Sequence, residues 1–210
     1  MSYTEYSLAQ FLAELAAHSP TPGGGSASAL SAALGTALGS MAAVYTTGQE
    51  KFKAVEAQAL ACDSKFTSLR FSFLELMQND SDAYEAFVFA RAMPKNTSDE
   101  KAARQRALAA ARETATVVPE RVVSACIEGL HWVDNLSRFA NVNLAGDVAA
   151  AAYFLEAAAR GAGIQILSNC ATADKEGINA ARRAACTEKI AQCQAAREQI
   201  HNTVLAMLKL

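Results

Sequence analysis

The longest regular pattern in the chain lies in residues 49–93, where apolar residues recur every three or four positions. The pattern runs without a slip through Phe52, Val55, Ala59, Cys62, Phe66, Leu69, Phe73 and Leu76. This spacing places all of these side chains on one face of a single long helix and is typical of a heptad-like seam. Such a helix buries its seam against other long helices. The pattern therefore predicts an all-α fold, a bundle of long helices.

Helix-ending signals and capping motifs divide the rest of the chain. Ser2 and Glu5 fit a capping box, and Thr97 and Glu100 fit a second one ahead of a helix that has a kink or restart at Pro119. The expected helices span residues 2–18, 26–47, 49–93, 98–138, 148–167 and 174–208, with a loop over 139–147. No repeat or linker separates them, so residues 1–210 are expected to form one domain.

Charge and cysteine usage exclude several classes of partner and site. The net charge is −2 and Lys and Arg form no basic stripe, so nucleic acid is not an expected partner. The five cysteines form no CxxC pair and the three histidines are far apart, so neither a disulfide framework nor a metal site is expected. The first ten residues lack a basic segment followed by an apolar run, and we therefore expect a cytoplasmic protein without a signal peptide.

Residues 27–45 form an uncharged stretch that is rich in Ala, Gly, Ser and Thr. The stretch is long enough to span a bilayer, but its small residues favour a buried, closely packed helix, so a membrane is not an expected partner. Gly35 and Gly39 lie four residues apart, which allows another helix to approach closely. We expect this packing to include a subunit contact and therefore predict a homodimer.

The segment PTPGGGS, residues 20–26, places three glycines directly before a predicted helix, although consecutive glycines are costly in chain entropy. Free N–H groups at a helix start, together with the helix dipole, favour an anionic group there, and glycine lets that group approach the backbone. The alternative is a tight turn with Ser26 as the N-cap. The segment does not match either common nucleotide-binding motif.

Asp80 occupies a position at which the seam of the long helix calls for an apolar residue. Past Leu76, the same spacing leads to Asp80, Ala83 and Phe87. A buried carboxyl has a raised pKa, which suits a general acid near neutral pH. The alternative is that the segment QNDSDAYE interrupts the helix and that Asp80 or Asp82 caps a new start.

Three further charged residues are candidates for a site. Asp147 follows Gly146 and precedes an alanine run, where it is either a helix N-cap or a second carboxylate in the same cleft as Asp80. Two carboxylates in one pocket can divide acid and base roles. Lys51 and Lys95 lie near predicted helix ends, as solvated surface residues or as cations that bind a carboxylate or phosphate of a ligand.

The segments that contain these residues resemble the formiminotransferase-cyclodeaminase C-terminal domain family. The similarity begins with PTPGGGSASALSAALGTALGSM and continues through DAYEAF, MPKNTSDEKAAR, VVP and NVNLAGDVAAAA in the expected order, over nearly the whole chain. Two positions depart from the family pattern: Tyr84 stands where Phe is usual, and Gly146 stands where Ser is usual, which removes a hydroxyl beside Asp147.

The resemblance implies an all-helical homodimer that acts on a tetrahydrofolate derivative and needs no metal. Members of the family include formimidoyltetrahydrofolate cyclodeaminases, which release ammonia as the 5,10-methenyl bridge forms, and methenyltetrahydrofolate cyclohydrolases, which open that bridge with water. The family's catalytic acid falls on Asp80, and Asp147 is expected to assist it. The residues expected to bind substrate are Gly23, Gly24, Gly25, Ser26, Lys51, Lys95 and Asn143.

Other functions stay open at this point. The sequence does not choose between the cyclohydrolase and the cyclodeaminase. It also allows a non-catalytic helical dimer that binds folate or another anionic ligand, for which the Gly146 departure is the main support. A structural protein that uses its long seams to bind other helices is a third hypothesis.

Overall fold

The computed structural model describes residues 2–171 and 178–210, and these residues form six α-helices and three short 3-10 helices with no strand among them. The all-α prediction is therefore confirmed for this part of the chain. The α-helices are α1 (Leu8–Ala16), α2 (Gly24–Val44), α3 (Glu56–Ala92), α4 (Ser98–Ser137), α5 (Ala145–Ala171) and α6 (Ile178–Leu208). The 3-10 helices are Tyr3–Glu5, Glu50–Val55 and Val142–Leu144. The start of the last helix, predicted at Asp174, lies outside the described residues.

The seam of α3 points into the core as the periodicity predicts. Its buried members are Ala59, Cys62, Phe66, Leu69, Phe73 and Leu76. The helix itself begins at Glu56, seven residues later than predicted, because residues 50–55 form a 3-10 helix instead. It then runs without a break to Ala92, so the interpretation in which QNDSDAYE interrupts the helix is wrong.

The central helix of the bundle is α2, which packs against α3 on one side and α5 on the other. Its buried residues are all Gly, Ala, Ser or Thr. The predicted glycine contacts exist, but they lie within the chain: a Cβ on Gly35 would be 2.9 Å from the Ala151 carbonyl oxygen, and one on Gly39 would be 2.9 Å from the Phe66 ring. The expectation that these two glycines form a subunit contact is therefore wrong, since α3 and α5 already cover them.

By length and composition alone, α2 qualifies as a helix that could cross a membrane. Of its most apolar stretch, 56% is buried inside the protein. The buried core helix of a soluble protein meets the same criterion, so the finding is weak evidence for a membrane span.

Pro119 lies inside α4, and the helix continues through it, so the predicted restart is wrong. A proline has no N–H, which leaves the carbonyl of the residue four positions earlier without its helical partner. That carbonyl belongs to Ala115, and the Asn169 side chain of α5 donates a hydrogen bond to it at 2.8 Å. A neighbouring helix thus satisfies the group that Pro119 leaves open.

Two predicted helix starts shift for local reasons. The capping box of the first helix is formed by Ser7 and Gln10, whereas Ser2 caps only a 3-10 turn, so α1 is shorter than predicted. The loop before α5 is also shorter, because the Asn141 side chain accepts a hydrogen bond from the Asn143 N–H and residues 142–144 turn directly into the helix. The capping box of Thr97 and Glu100 is present as predicted.

Candidate active site

The carboxylate of Asp80 on α3 faces the first turn of α2. Two donors from Ser26 reach the same oxygen: the backbone N–H lies 2.8 Å from Asp80 Oδ2, and the Ser26 Oγ lies 3.0 Å from it. None of the residues that the structure describes donates a hydrogen bond to Oδ1. Within the described residues, the protein therefore holds the carboxyl through one oxygen, Oδ2.

Opposing effects set the pKa of Asp80. Burial of the carboxyl raises its pKa above the ordinary value of 3.8, and this is the larger effect. The hydrogen bonds from the Ser26 side chain and backbone stabilise the charged form and pull the pKa back down. The net direction is upward, which agrees with the prediction made from the seam.

The three glycines differ in what they contact. A Cβ on Gly25 would lie 2.0 Å from Asp80 Oδ1, so any side chain there would displace the carboxyl. A Cβ on Gly24 would lie 3.0 Å from the Gln165 side chain of α5, and one on Gly23 would meet only the Pro20 carbonyl oxygen at 3.9 Å. None of the three has a positive φ. Close approach, at Gly25 above all, is thus the physical reason for glycine in this segment.

Ser26 is not the N-cap of α2, which the interpretation of PTPGGGS as a tight turn required. Gly23 is the N-cap of α2, and Ser26 is the third residue of the helix. The Ser26 side chain is fully buried, and its hydroxyl faces Asp80, the Met77 carbonyl and Ser81. The prediction that Ser26 is an N-cap is therefore wrong.

Asp147 lies at the opposite end of α2 from Asp80. It belongs to the first turn of α5, which begins at Ala145, so it is not the N-cap of that helix. The two helices are antiparallel: Gly161 lies against Ser28, and Ala151 lies against Gly35, which places Asp147 about one turn further along. At a rise of 1.5 Å per residue, the two carboxylates are roughly 20 Å apart along α2. One chain does not bring them into the same cleft.

The other predicted residues also divide between the two ends. Lys51 is exposed in the 3-10 helix that follows α2, with its ammonium 4.6 Å from the centre of the Phe52 ring. Asn143 is exposed near the same end, because the neighbouring Asn141 N–H donates a 3.0 Å hydrogen bond to the side chain of Thr46, two residues beyond the end of α2. Lys95 lies between α3 and α4, beyond the end of α3 on the Asp80 side.

Two residues at the Asp80 end were not found by sequence reasoning. Ser81 is buried and lies 3.2 Å from the Ser26 hydroxyl, oxygen to oxygen. Gln165 is near Gly24 only because α5 packs against α2, and nothing in its local sequence indicates this. No group of three or more His, Cys, Asp or Glu side chains suited to a metal ion occurs among the described residues.

Comparison with known proteins places the chain in a family. The family model described as formiminotransferase-cyclodeaminase matches residues 7–188, which is most of the chain. The chain belongs to the formiminotransferase-cyclodeaminase family. The methenyltetrahydrofolate cyclohydrolase of Methylorubrum extorquens is 34% identical over 194 residues, covering 92% of this chain and 93% of that protein.

Two further proteins are similar to this chain, one over part of its own length and one in three-dimensional structure. The formimidoyltransferase-cyclodeaminase of Rattus norvegicus is 31% identical over 168 residues, which is 80% of this chain but only 31% of the rat protein. The solved formiminotetrahydrofolate cyclodeaminase of Thermotoga maritima superposes with a TM-score of 0.80 at 25% identity and covers 98% of this chain and 97% of its own. The resemblance drawn from the sequence motifs is confirmed, and the named relatives are enzymes.

Proposed function

We propose that this protein is a methenyltetrahydrofolate cyclohydrolase in which Asp80 acts as general base and general acid. The observation that carries the proposal is the Asp80 carboxyl, which is partly buried at the start of α2 and held by Ser26 through Oδ2, while no residue in the described ranges 2–171 and 178–210 donates to Oδ1. The choice of reaction is supported by the identity of 34% to a cyclohydrolase over nearly the full length of both chains, against 31% and 25% to two cyclodeaminases.

The reaction requires two proton transfers that one carboxyl can make in turn. Water attacks the bridging carbon of the cationic 5,10-methenyl group, and its proton passes to the Asp80 carboxylate. As the tetrahedral carbon collapses, the bond between carbon and N5 breaks, its electron pair stays on N5, and Asp80 returns the proton there. The remaining hydroxyl proton goes to solvent, and the product is 10-formyltetrahydrofolate. A carboxylate beside the bridge also stabilises its positive charge.

A cyclodeaminase is the second candidate, and the full-length superposition on the Thermotoga maritima enzyme favours it. Here N10 attacks the protonated formimidoyl carbon and gives its proton to Asp80. The carboxyl then protonates the amino group, which leaves as ammonia while the methenyl bridge forms. Both reactions pass through a tetrahedral carbon between N5 and N10, so the same Asp80 geometry serves either one.

Substrate binding is proposed to use the residues at both ends of α2. The glycines Gly23, Gly24 and Gly25 at the start of α2 are proposed to leave room for the flat pterin ring of the folate beside Asp80, and the N–H groups of Gly24 and Gly25, which have no acceptor within the helix, can donate hydrogen bonds to it. The cations Lys51 and Lys95 are proposed to bind its glutamate carboxylates, and Asn143 to hydrogen-bond the ligand. These residues come together only if the two ends of α2 meet.

A homodimer would bring the two ends together. α2 carries no charged residue, yet Leu34, Met41 and Val44 on it and Tyr45 directly after it are between 37% and 57% exposed. An apolar face of this kind is a candidate interface, and a second copy of the chain is its proposed partner. A two-fold axis perpendicular to α2 would place the end of one α2 beside the start of the other. Asp147 of the partner subunit would then join Asp80.

The proposed function is tested by near-ultraviolet absorbance of the methenyl bridge. With methenyltetrahydrofolate, the absorbance is expected to fall faster than in buffer alone. An absorbance that instead rises with formimidoyltetrahydrofolate would identify the cyclodeaminase. If neither substrate turns over but tetrahydrofolate raises the melting temperature, the protein is a folate-binding dimer without this activity, and the proposal is overturned.

A further inference from the structure

The hydroxyl of Ser26 lies within hydrogen-bond distance of three oxygens in a buried polar cluster on α2 and α3. Its Oγ is 3.0 Å from Asp80 Oδ2, 3.0 Å from the Met77 carbonyl oxygen and 3.2 Å from the Ser81 Oγ. A serine has one proton to donate, so it can bond only one of these acceptors at a time. Ser26 is 0% exposed, and its side chain therefore cannot act by touching a ligand in solvent.

We propose that Ser26 is a positioning residue that holds Asp80 Oδ2 with two donors and thereby assigns the transferable proton to Oδ1. This inference rests on the proposed function of Asp80. An oxygen that already accepts an N–H and an O–H is a poor site for a further proton, because that proton would face the two donors. Oδ1 accepts no hydrogen bond from the part of the chain that the structure describes, and of the two oxygens it lies nearer to the Cβ position of Gly25, at 2.0 Å against 2.6 Å for Oδ2.

The same cluster allows Ser26 to follow the charge of Asp80. While Asp80 is ionised, the Ser26 hydroxyl donates to Oδ2 and Ser81 can donate to Ser26 in turn. When Asp80 carries its proton on Oδ1, the neutral Oδ2 is a weaker acceptor and the hydroxyl can turn to the Met77 carbonyl instead. The proton that Asp80 gains and loses during the reaction is thus accompanied by rotation of one hydroxyl, without movement of the carboxyl.

Among the residues that the structure describes, burial and Ser26 are the main influences on the charge of Asp80. α2 carries no ionisable residue, and burial and Ser26 account for the shift in the pKa of Asp80. On α3, Asp82 and Tyr84 are exposed, and Asp82 accepts a hydrogen bond from Gln78. From α5, the neutral side chain of Gln165 approaches Gly24 in the first turn of α2. A change at Ser26 should therefore be seen directly in the titration of Asp80.

The test is the pKa of Asp80 in the Ser26→Ala variant, measured by carbon NMR of its carboxyl and by the pH profile of kcat/KM. Loss of the hydroxyl donor removes a hydrogen bond to the charged form, so the pKa is expected to rise by about one unit, and both readouts should move to higher pH together. Ser28→Ala is the matched control, because the Ser28 hydroxyl donates to the Gly24 carbonyl and not to Asp80. Ser81→Ala should give a smaller shift than Ser26→Ala, since Ser81 reaches Asp80 only through Ser26.

The outcomes separate this inference from the proposed function. If Asp80→Asn keeps full turnover, the proposed role of Asp80 is overturned and the positioning role has no reaction to serve. If Asp80→Asn is inactive but Ser26→Ala and Ser28→Ala leave the pKa of Asp80 equally unchanged, only the role of Ser26 is overturned. Should Ser26→Ala fail to fold, the same comparison of Ser81→Ala with Ser28→Ala decides the question.

Discussion

At the scale of single residues, the candidate site depends on a glycine at position 25 and on a carboxyl, that of Asp80, at a position where the seam calls for an apolar residue. Asp80 interrupts an apolar seam, and Gly25 provides the space that its Oδ1 occupies. The two features need each other, since a carboxyl at the start of α2 gains from the helix dipole and the Ser26 N–H only if the backbone is bare enough to approach.

Asp80→Asn is expected to lower kcat by about 10²–10⁴-fold with little change in KM, because the proton transfer it removes occurs in the transition state. The measurement is steady-state turnover of the methenyl substrate. Full turnover in the variant would remove Asp80 from the mechanism.

The same substitution should also change how stability depends on pH. Burial raises the folded pKa of Asp80 above 3.8, so between the ordinary and the folded pKa the folded state binds more protons than the unfolded state. Wild-type stability therefore falls as the pH rises through this window and stays lower above it. The melting temperature of Asp80→Asn relative to wild type is expected to increase over the same window and then level off.

Gly25→Ala is expected to impair turnover more than it impairs folding. Its Cβ would lie 2.0 Å from Asp80 Oδ1, so the carboxyl must leave its position beside the Ser26 N–H. Gly146→Ala is the control for replacing a helical glycine, because its Cβ would meet nothing within 4 Å; it should be neutral or more stable by about 0.5–1 kcal/mol. Turnover and urea unfolding are measured for both. An active Gly25→Ala enzyme with an unshifted Asp80 pKa would contradict the close approach.

At the scale of helices, the small residues of α2 let three helices share one narrow core. Gly35 admits the backbone of α5, and Gly39 admits the ring of Phe66 from α3. On an ordinary helix, larger side chains would fill this space. Here neighbouring helices fill it by close contact, and this packing is destabilised when a larger side chain is introduced.

Gly39→Leu should lower the free energy of unfolding by about 1–3 kcal/mol through overpacking against Phe66. Phe66→Ala alone should lower the free energy of unfolding by about 3–5 kcal/mol. The double variant should lose less than the sum of the two single losses, because the leucine at position 39 fills part of the space that Phe66 leaves. Urea unfolding of the four proteins gives the coupling energy. Strictly additive effects would contradict the contact between Gly39 and Phe66, and a Gly39→Leu variant that unfolds like wild type would contradict the overpacking.

At the scale of the whole molecule, the residues proposed to act on one substrate lie at opposite ends of a helix. Asp80 is at the start of α2, while Lys51, Asn143 and Asp147 are near its end. If these residues act on one substrate, each chain would contribute two half-sites, and the exposed apolar face of α2 lies between the two groups of residues. This arrangement is the main structural argument for a dimer with shared sites.

Hybrid dimers test this arrangement. Asp80→Asn and Asp147→Asn are each expected to be inactive alone. Co-expressed with different tags and purified as hybrids, they should recover about half of wild-type activity, because one of the two shared sites then has both native carboxylates. Activity of hybrids and mass by light scattering are the measurements.

The reciprocal hybrid is the control. A wild-type chain paired with a chain that carries both substitutions has one damaged residue in each shared site and should be inactive. If this hybrid is half-active and the first one is dead, each site lies within one chain. A wild-type protein that is monomeric at micromolar concentration, or an Asp147→Asn enzyme with full turnover, would also overturn the shared site.

Local patterns determined much of this protein before any tertiary contact was known. The helical class, the seam of α3, the Thr97 cap and the unusual position of Asp80 all follow from spacing within one helix, where side chains three and four residues apart must share a face. The family motifs independently implied the same all-helical fold and the same candidate residue, Asp80. Spacing does not determine where a helix begins, because neighbouring capping residues such as Ser2 and Ser7 compete. Only packing and backbone geometry select between them.

The tertiary structure alone decided which residues meet. That Gly25 rather than Gly24 contacts Asp80, that Gly39 faces Phe66, and that Asp147 lies far from Asp80 all depend on the direction and register of helices distant in sequence. A periodic pattern shows which face of a helix is buried but not which helix covers it, since many pairings bury the same apolar area. The close contacts that choose among these pairings form only when the whole bundle packs.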